Sequence, residues 1–206
     1  MMKLRIVKVL CVLFLGLGAL PVKAQDWTGF YIGAGVSDHS GTNTDYSNGT
    51  AVAPTPTVEN PYKRSGAMRS LHFGYRLQSR AMVYGAELSF ANGALRRLAS
   101  NSDNHIPQYT NVLGKVGYAY DRVLLSVGFG AFEGSLRPKC IDACGVADLS
   151  GLVLSIGVDT YLTDRVPLGA SVMRRSFSHE TYELLPASFT TSGHDTGLEL
   201  RLGYNF

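Results

Sequence analysis

The last fourteen residues of the chain, 193–206 (GHDTGLELRLGYNF), alternate apolar and polar side chains with a period of two. This alternation predicts a β-strand with one apolar face and one charged face. In a soluble sandwich the charged face would contact water, whereas in a closed membrane barrel the apolar face contacts lipid and the charged face lines the lumen. The aromatic residue at position 206 favours the membrane barrel.

This terminal segment resembles the C-terminal insertion signal of bacterial outer-membrane β-barrels. The resemblance is carried by Leu200, Leu202, Tyr204 and Phe206, which share the apolar face. It implies recognition by the outer-membrane barrel assembly machinery.

The amino terminus has the three parts of a secretory signal peptide: basic residues, an apolar run over 9–20, and a small-residue segment over 21–24. The apolar run is shorter than the roughly 20 residues that a transmembrane helix needs. We therefore predict that 1–24 is a cleaved signal peptide and that 25–206 is a single barrel domain.

Removal of the signal peptide changes the charge of the protein. It takes away Lys3, Arg5, Lys8 and Lys23, so 19 basic residues become 15, against 16 acidic ones. The basic character of the full chain is therefore a property of the targeting segment, and nucleic acid is not a predicted partner.

Two cysteines remain after Cys11 leaves with the signal peptide. Cys140 and Cys144 lie close together in the sequence CIDAC, and this spacing predicts a small disulfide-closed loop in an oxidising compartment. A metal site is the alternative, but no histidine is near. We predict neither a metal nor a cofactor.

Eight segments alternate as the last one does. They cover 28–37, 67–77, 82–90, 109–120, 123–131, 152–162, 168–177 and 193–206. Their connections alternate between short turns and long polar loops, of which the first spans 38–66. This pattern predicts an all-β fold, an eight-stranded antiparallel up-and-down transmembrane β-barrel with both termini in the periplasm.

The mature sequence opens with DWTGFYIG at 26–33. This opening resembles the WTGFYxG start of the Gram-negative outer-membrane β-barrel family often labelled porin-like or surface-antigen proteins. The resemblance implies a barrel of the eight-stranded OmpA type in the outer membrane. It also implies a role as a surface antigen or a small porin, with haem binding proposed for some members.

Charged residues recur on the polar face of the predicted strands. They are Arg76, Glu87, Lys115, Asp159, Arg175, Glu199 and Arg201. An eight-stranded barrel has an interior just wide enough for side chains to fill, and buried charges need partners. Their near balance of sign therefore predicts a network of charge pairs that plugs the lumen, and a gated narrow pore is the alternative.

Aromatic residues cluster near the predicted periplasmic strand ends, where an interfacial girdle is expected. They are Trp27, Tyr75, Tyr84, Tyr118, Tyr120, Tyr204 and Phe206. Near the opposite rim, Arg69 and Arg174 alternate in phase with the residues predicted to face lipid. We therefore predict that they contact lipopolysaccharide phosphates. The alternative is that they are solvated residues at strand ends.

Two further chemistries are weaker alternatives. Haem capture would use a loop histidine such as His105 or His179, although histidines on loops are more often solvated. Lipid A modification would use Ser176 and His194 at the outer rim, but no orienting acid accompanies them. We predict no enzyme.

The predicted function is that of a structural, surface-exposed outer-membrane protein. Outer-membrane lipids and lipopolysaccharide are its expected surroundings, and the loops would carry a surface-antigen or adhesion role towards a host or extracellular ligand. A small porin with a narrow pore is the alternative.

Overall fold

The computed structural model describes residues 25–50, 57–58, 61–98, 105–137, 147–184 and 187–206. Nine strands lie within this part of the chain. They are β1 (Gly29–Thr50), β2 (Thr57–Val58), β3 (Tyr62–Ser79), β4 (Met82–Arg97), β5 (His105–Tyr120), β6 (Val123–Arg137), β7 (Ala147–Tyr161), β8 (Pro167–Leu184) and β9 (Ala187–Asn205). No helix in the described ranges is long and apolar enough to cross a membrane.

Eight long strands form a closed barrel. From β3 onwards each strand pairs antiparallel with the next along the chain, β1 pairs with β3, and β1 also pairs with β9 to close the cylinder. The two-residue β2 only extends the edge of β1. The predicted all-β, eight-stranded antiparallel barrel is confirmed.

Tight turns join the strands at one end of the barrel, which we call the short-turn end. Arg80 and Asp121 begin two-residue loops and have positive φ angles of 56° and 54°. Such angles match the right-handed twist of the paired strands. The other end, where 51–56, 99–104, 138–146 and 185–186 connect the strands, is the long-loop end.

The strands continue further towards the long-loop end than the sequence predicts. The long strands contain 15 to 22 residues, whereas about 9–11 tilted residues cross a bilayer. β1 reaches Thr50 and β3 begins at Tyr62, so most of the loop predicted at 38–66 is strand. The prediction failed there because both faces of the extension are polar, which removes the apolar alternation that identifies a strand.

The outer face carries a belt of exposed apolar side chains around the barrel. It includes Phe30, Val36, Leu71, Phe90, Val112, Phe129, Leu152, Ile156, Val172, Leu198 and Leu202. Towards the long-loop end the outward residues become polar, as at Asp38, Arg69, Asn92, Arg174 and Thr196. This change marks the edge of the surface that lipid covers.

The lumen is filled in layers. An apolar cluster near the short-turn end contains Trp27, Val83, Leu124 and Tyr161. A larger apolar cluster occupies the strands β3–β8 in the long-loop half, and it includes Met68, Leu95, Ile106, Tyr109, Phe132 and Phe177. Charged side chains lie between these clusters and beside the larger one.

Trp27 is not part of the interfacial girdle, and that prediction is wrong for this residue. Its side chain is fully buried, with its ring centroid 4.3 Å from that of Tyr161. The segment before β1 turns into the barrel, and Gln78 Oε1 accepts a hydrogen bond from the Trp27 main-chain amide at 2.8 Å. The remaining aromatics of the predicted girdle are exposed on the outer face, namely Tyr75, Tyr84, Tyr118, Tyr120, Tyr204 and Phe206.

Candidate functional site

The seven charged residues predicted to face the lumen all lie inside the barrel. Arg76, Glu87, Asp159, Arg175, Glu199 and Arg201 are buried, and the side chain of Lys115 is 11% exposed. Strand alternation puts each of them on the inner face, because their sequence neighbours on both sides point outward. Six of them meet in one group, and Arg175 belongs to a second group nearer the long-loop end.

Asp159 on β7 is the centre of the first group. Arg201 donates to it from Nε at 3.0 Å and from Nη2 at 2.8 and 2.9 Å, and Arg76 Nη2 donates at 3.3 Å. The strand between them, β8, has Gly169 at this level, where a Cβ would overlap Asp159. The glycine therefore lets the charge pair cross the inner wall of β8.

Glu87 on β4 gathers donors from several strands. Its Oε2 accepts hydrogen bonds from Lys115 Nζ at 3.0 Å, Arg201 Nη1 at 3.0 Å and Tyr31 OH at 2.7 Å. Arg201 thus links Glu87 to Asp159. The guanidinium of Arg76 stacks over the Tyr31 ring, with Cζ 4.0 Å from the centroid. These contacts tie the walls of the lumen together across its width.

Glu199 on β9 completes the group through a histidine. His72 Nε2 lies 3.0 Å from Glu199 Oε1 and 2.9 Å from Ser70 Oγ, and Ser70 also donates to Glu199. On its other side, His72 Nδ1 lies 3.6 Å from Glu87 Oε1. The imidazole therefore lies between two carboxylates.

The second group surrounds Arg175 on β8, which is fully buried. Its Nη1 donates to Asp195 Oδ2 at 3.1 Å, and its Nε donates to Asn111 Oδ1 at 2.8 Å. The guanidinium stacks over Tyr109, with Cζ 4.5 Å from the ring centroid. Asp195 also meets His39 Nδ1 at 2.9 Å.

Ser37, His39 and Asp195 form a hydrogen-bonded chain. Ser37 Oγ lies 2.9 Å from His39 Nε2, and His39 Nδ1 lies 2.9 Å from Asp195 Oδ2. This order is that of a serine hydrolase triad. All three residues are buried within the packed lumen, however, and Arg175 occupies the same oxygen of Asp195.

The two groups together balance their charges. Arg76, Lys115, Arg175 and Arg201 are matched by Glu87, Asp159, Asp195 and Glu199. Buried charges are tolerated when they are paired, and each of these residues has an ion-pair partner, which for Glu199 is His72.

Sequence reasoning missed several members of these groups. They are Tyr31, Ser37, His39, Ser70, His72, Asn111 and Asp195. His72 and Asn111 lie in predicted strands at positions that alternate towards the lumen. Including every polar residue at such positions, and not only the charged ones, would have found them. His39 lies in the part of β1 beyond the predicted strand end.

Two small spaces lie within the described part of the lumen. Two narrow pockets flank Tyr31 and Arg76, and each has room for about one water molecule. One also borders Lys115 and Leu124, and the other borders Asp159 and Arg201.

The residues predicted to meet lipopolysaccharide lie on the outer face. Arg69 and Arg174 are exposed at the edge of the apolar belt. Arg69 pairs in register with Val36 and Asn92, and Arg174 pairs with Leu154 and Thr196. Each therefore lies beside an apolar neighbour on one strand and a polar one on the other.

The weaker candidates are scattered. Ser176 and His194 are direct register partners on β8 and β9 and face outward. His105 begins β5 beside Arg96 and Arg137, whereas His179 belongs to β8 and its side chain is outside the described residues.

Cys140 and Cys144 lie outside the described residues. The described residues include no group of three or more metal-ligating side chains.

Comparisons with known proteins agree with this architecture. The sequence profile of the family described as outer membrane protein beta-barrel domain matches residues 9–206. No curated protein gives a significant match.

Among solved structures, Neisserial surface protein A superposes with a TM-score of 0.56 at 12% identity, over 87% of this chain and 98% of that one. The N-terminal barrel of Pseudomonas aeruginosa OprF gives 0.44 at 13% identity, over 82% and 97%. Ail of Yersinia pestis gives 0.40 at 15% identity, over 84% and 99%. At 12% identity, the likeness to Neisserial surface protein A indicates a shared fold only.

Proposed function

The chain belongs to the outer membrane protein beta-barrel domain family, and from this premise we propose that it is a closed, non-conducting barrel that acts through its exposed surface. It is an outer-membrane β-barrel protein. The role we favour is that of a structural, surface-exposed protein whose long-loop end meets the outside.

The observation that carries this proposal is the crossing of the lumen by Arg201. It holds Asp159 on β7 and Glu87 on β4 at the same time, with donor–acceptor distances of 2.8–3.0 Å. Lys115 and Arg76 add further bonds to the same two carboxylates. A continuous water path would have to break these pairs, and the loss of a partner leaves a charge in a low-dielectric interior.

The apolar layers support the same conclusion. Trp27 and Tyr161 fill the short-turn end, while Leu95, Ile106 and Leu136 in the long-loop half are no more than 1% exposed. Ions do not cross a dry apolar constriction without a large desolvation cost. Apolar packing thus fills the short-turn end and the β3–β8 side of the long-loop half, on either side of the charged layer.

A small porin remains the alternative function, with the charged layer as its lining. A liposome-swelling assay with small sugars separates the two. We expect proteoliposomes to swell no faster than protein-free liposomes of the same lipid. Swelling that increases with the amount of inserted protein would overturn the closed-barrel proposal.

On the outer surface, we propose that Arg69 and Arg174 contact lipopolysaccharide phosphates. Both guanidinium groups are exposed at the border of the apolar belt, the level at which lipid head groups begin. A guanidinium can bind a phosphate through two parallel hydrogen bonds. The long loops would then meet an extracellular ligand above this level.

The remaining parts of the proposal concern targeting. Residues 1–24 would be the cleaved signal peptide, both termini would be periplasmic, and Cys140 and Cys144 would form a disulfide. Leu200, Leu202, Tyr204 and Phe206 would be recognised by the barrel assembly machinery. All four of these side chains are exposed on the outer face of β9 and its C-terminal end, which makes them accessible before the barrel closes.

We propose no catalytic role for the Ser37–His39–Asp195 chain. Ser37 is 6% exposed, and register pairing places it next to Met68 and Glu199 inside the filled lumen. A serine nucleophile needs room for the reacting carbonyl. A fluorophosphonate probe that labels Ser37 in the folded protein would contradict this assignment.

A further inference from the structure

Arg64 is a buried cation near the long-loop end of the lumen. It lies on β3, two residues after the strand begins, and pairs in register with Gly41 on β1 and Arg97 on β4. Its side chain faces inward, and the residue is 1% exposed. It is among the largest fully buried side chains of the described chain.

The partners of Arg64 differ from those of the other buried arginines. Arg76, Arg175 and Arg201 each contact a carboxylate within 3.3 Å. Within the described part of the chain, Arg64 donates only from Nη2, to Tyr62 OH at 2.7 Å, and Nε and Nη1 have no hydrogen-bond partner. Two of the three guanidinium nitrogens are thus buried without an acceptor.

Among the described residues, Tyr62 links Arg64 to a carboxylate. Tyr62 OH donates to Asp45 Oδ1 at 3.1 Å, so the phenol lies between Arg64 and the carboxylate. A second guanidinium, that of Arg97, stacks on the same phenol ring with Cζ 4.0 Å from the centroid, whereas Arg64 Cζ lies 5.0 Å away. Among the described side chains, two cations and one carboxylate therefore contact Tyr62, which is a surplus of one positive charge.

Neutral side chains around this cluster also carry unused polar atoms. Asn43 is the register partner of Tyr62, and its Nδ2 is buried without a hydrogen-bond partner. Thr191, the register partner of Asp45, has a buried Oγ1 without a partner. Besides the two guanidinium nitrogens without partners, the cluster therefore offers an amide donor from Asn43 and a hydroxyl from Thr191.

We propose that Arg64, Arg97, Asn43 and Thr191 form a binding site for a tetrahedral oxyanion of the phosphate or sulfate type. A buried guanidinium without a counter-charge is strongly unfavourable, and an anion accepting from Nε and Nη1 supplies that charge. The amide and the hydroxyl satisfy further oxygens of the same anion. Arg64 lies near the long-loop end of the lumen, so the anion would enter from that end, which the proposed orientation places outside the cell.

Direct titration of the protein with inorganic phosphate tests the site. The protein is refolded without lipopolysaccharide into octyl glucoside, a detergent that lacks phosphate, and binding is measured by calorimetry. We expect saturable binding that Arg64→Gln weakens by about tenfold or more, the loss expected when charge-assisted hydrogen bonds are removed. The matched control is Arg96→Gln, which removes the same charge from an exposed, outward position next to Arg97.

The absence of saturable phosphate binding by the wild-type protein would overturn the site, as would equal affinity of wild type and Arg64→Gln. The heat-dependent gel shift of folded barrels checks that each variant is folded. If Arg64→Gln does not fold, Asn43→Ala takes its place, since it removes a neutral donor. Weaker phosphate binding by Asn43→Ala supports the site, and unchanged affinity overturns it.

The source of the anion is distinguished by competition. Lipid A in mixed micelles that displaces phosphate from the wild-type protein, but has no effect on Arg64→Gln, would identify a lipid headgroup phosphate as the ligand. Phosphate binding that lipid A leaves unchanged would identify a soluble anion. Both results support the oxyanion site.

Discussion

Arg201 on β9 binds both carboxylate oxygens of Asp159 on β7, although a whole strand, β8, lies between them in the sheet. The pair therefore connects non-neighbouring strands through the lumen rather than along the wall. Main-chain hydrogen bonds already hold neighbouring strands together. Side-chain pairs of this kind add cross-links that the barrel wall cannot provide.

Loss of this carboxylate should destabilise the barrel. Asp159→Asn leaves Arg201 and Arg76 buried without their shared counter-charge, so we expect a loss of about 3–5 kcal/mol in the free energy of unfolding. Reversible urea unfolding in lipid vesicles measures it. The control is Asp164→Asn, which breaks an exposed pair with Arg122 and should cost less than about 1 kcal/mol.

The environment of Trp27 gives a second prediction, which needs no substitution because this is the single tryptophan of the chain. Since the indole lies inside the barrel against Tyr161, brominated phospholipids and aqueous iodide should both quench its fluorescence weakly. The comparison protein places the reporter on the outer face, as Tyr204→Trp in a Trp27→Phe background. Strong bromolipid quenching of Trp27 itself would restore the girdle position that the sequence suggested.

Much of the fold follows from sequence periodicity. A period of two over the apolar belt defines the eight strands and puts Glu87, Asp159 and Arg201 on the inside. Their pairing does not follow from parity, because it depends on which strands face each other across the closed cylinder and at what height. The predicted girdle position of Trp27 was wrong because an aromatic residue next to a strand end is typical of the membrane interface. In the structure, the peptide before β1 turns into the barrel.

The long-loop half was harder to predict for a different reason. Beyond Ser37 the chain continues as a strand with polar residues on both faces, so hydrophobic alternation no longer marks it. His39, Asp45 and Arg64 were therefore not recognised as lumen residues. Strand pairing holds these segments, and it is a property of the whole sheet rather than of the local sequence.

The orientation of the barrel gives a third prediction. Asp164→Cys, in the turn between β7 and β8, and Leu98→Cys, at the end of β4 towards the long loops, report on opposite ends. With Cys140 and Cys144 replaced by serine, a membrane-impermeant maleimide added to intact cells should label position 98 and not position 164. The reverse labelling pattern would place the termini outside the cell.

A fourth prediction concerns the arginines at the edge of the belt. Arg69→Gln combined with Arg174→Gln should reduce the extra thermal stability that lipopolysaccharide gives over phospholipid bilayers, because each arginine would lose a charge-assisted bond to phosphate. Thermal unfolding in the two kinds of membrane measures the difference. Arg165→Gln, an exposed arginine at the short-turn end, should leave it unchanged.

Single-channel recording in a planar bilayer tests the closed lumen most directly. The folded, inserted protein should give no reproducible conductance steps, because Glu87, Lys115 and Arg201 are paired across the lumen. Ion-selective steps of constant size from the wild-type protein would contradict the closed barrel and make the charged layer the lining of a pore.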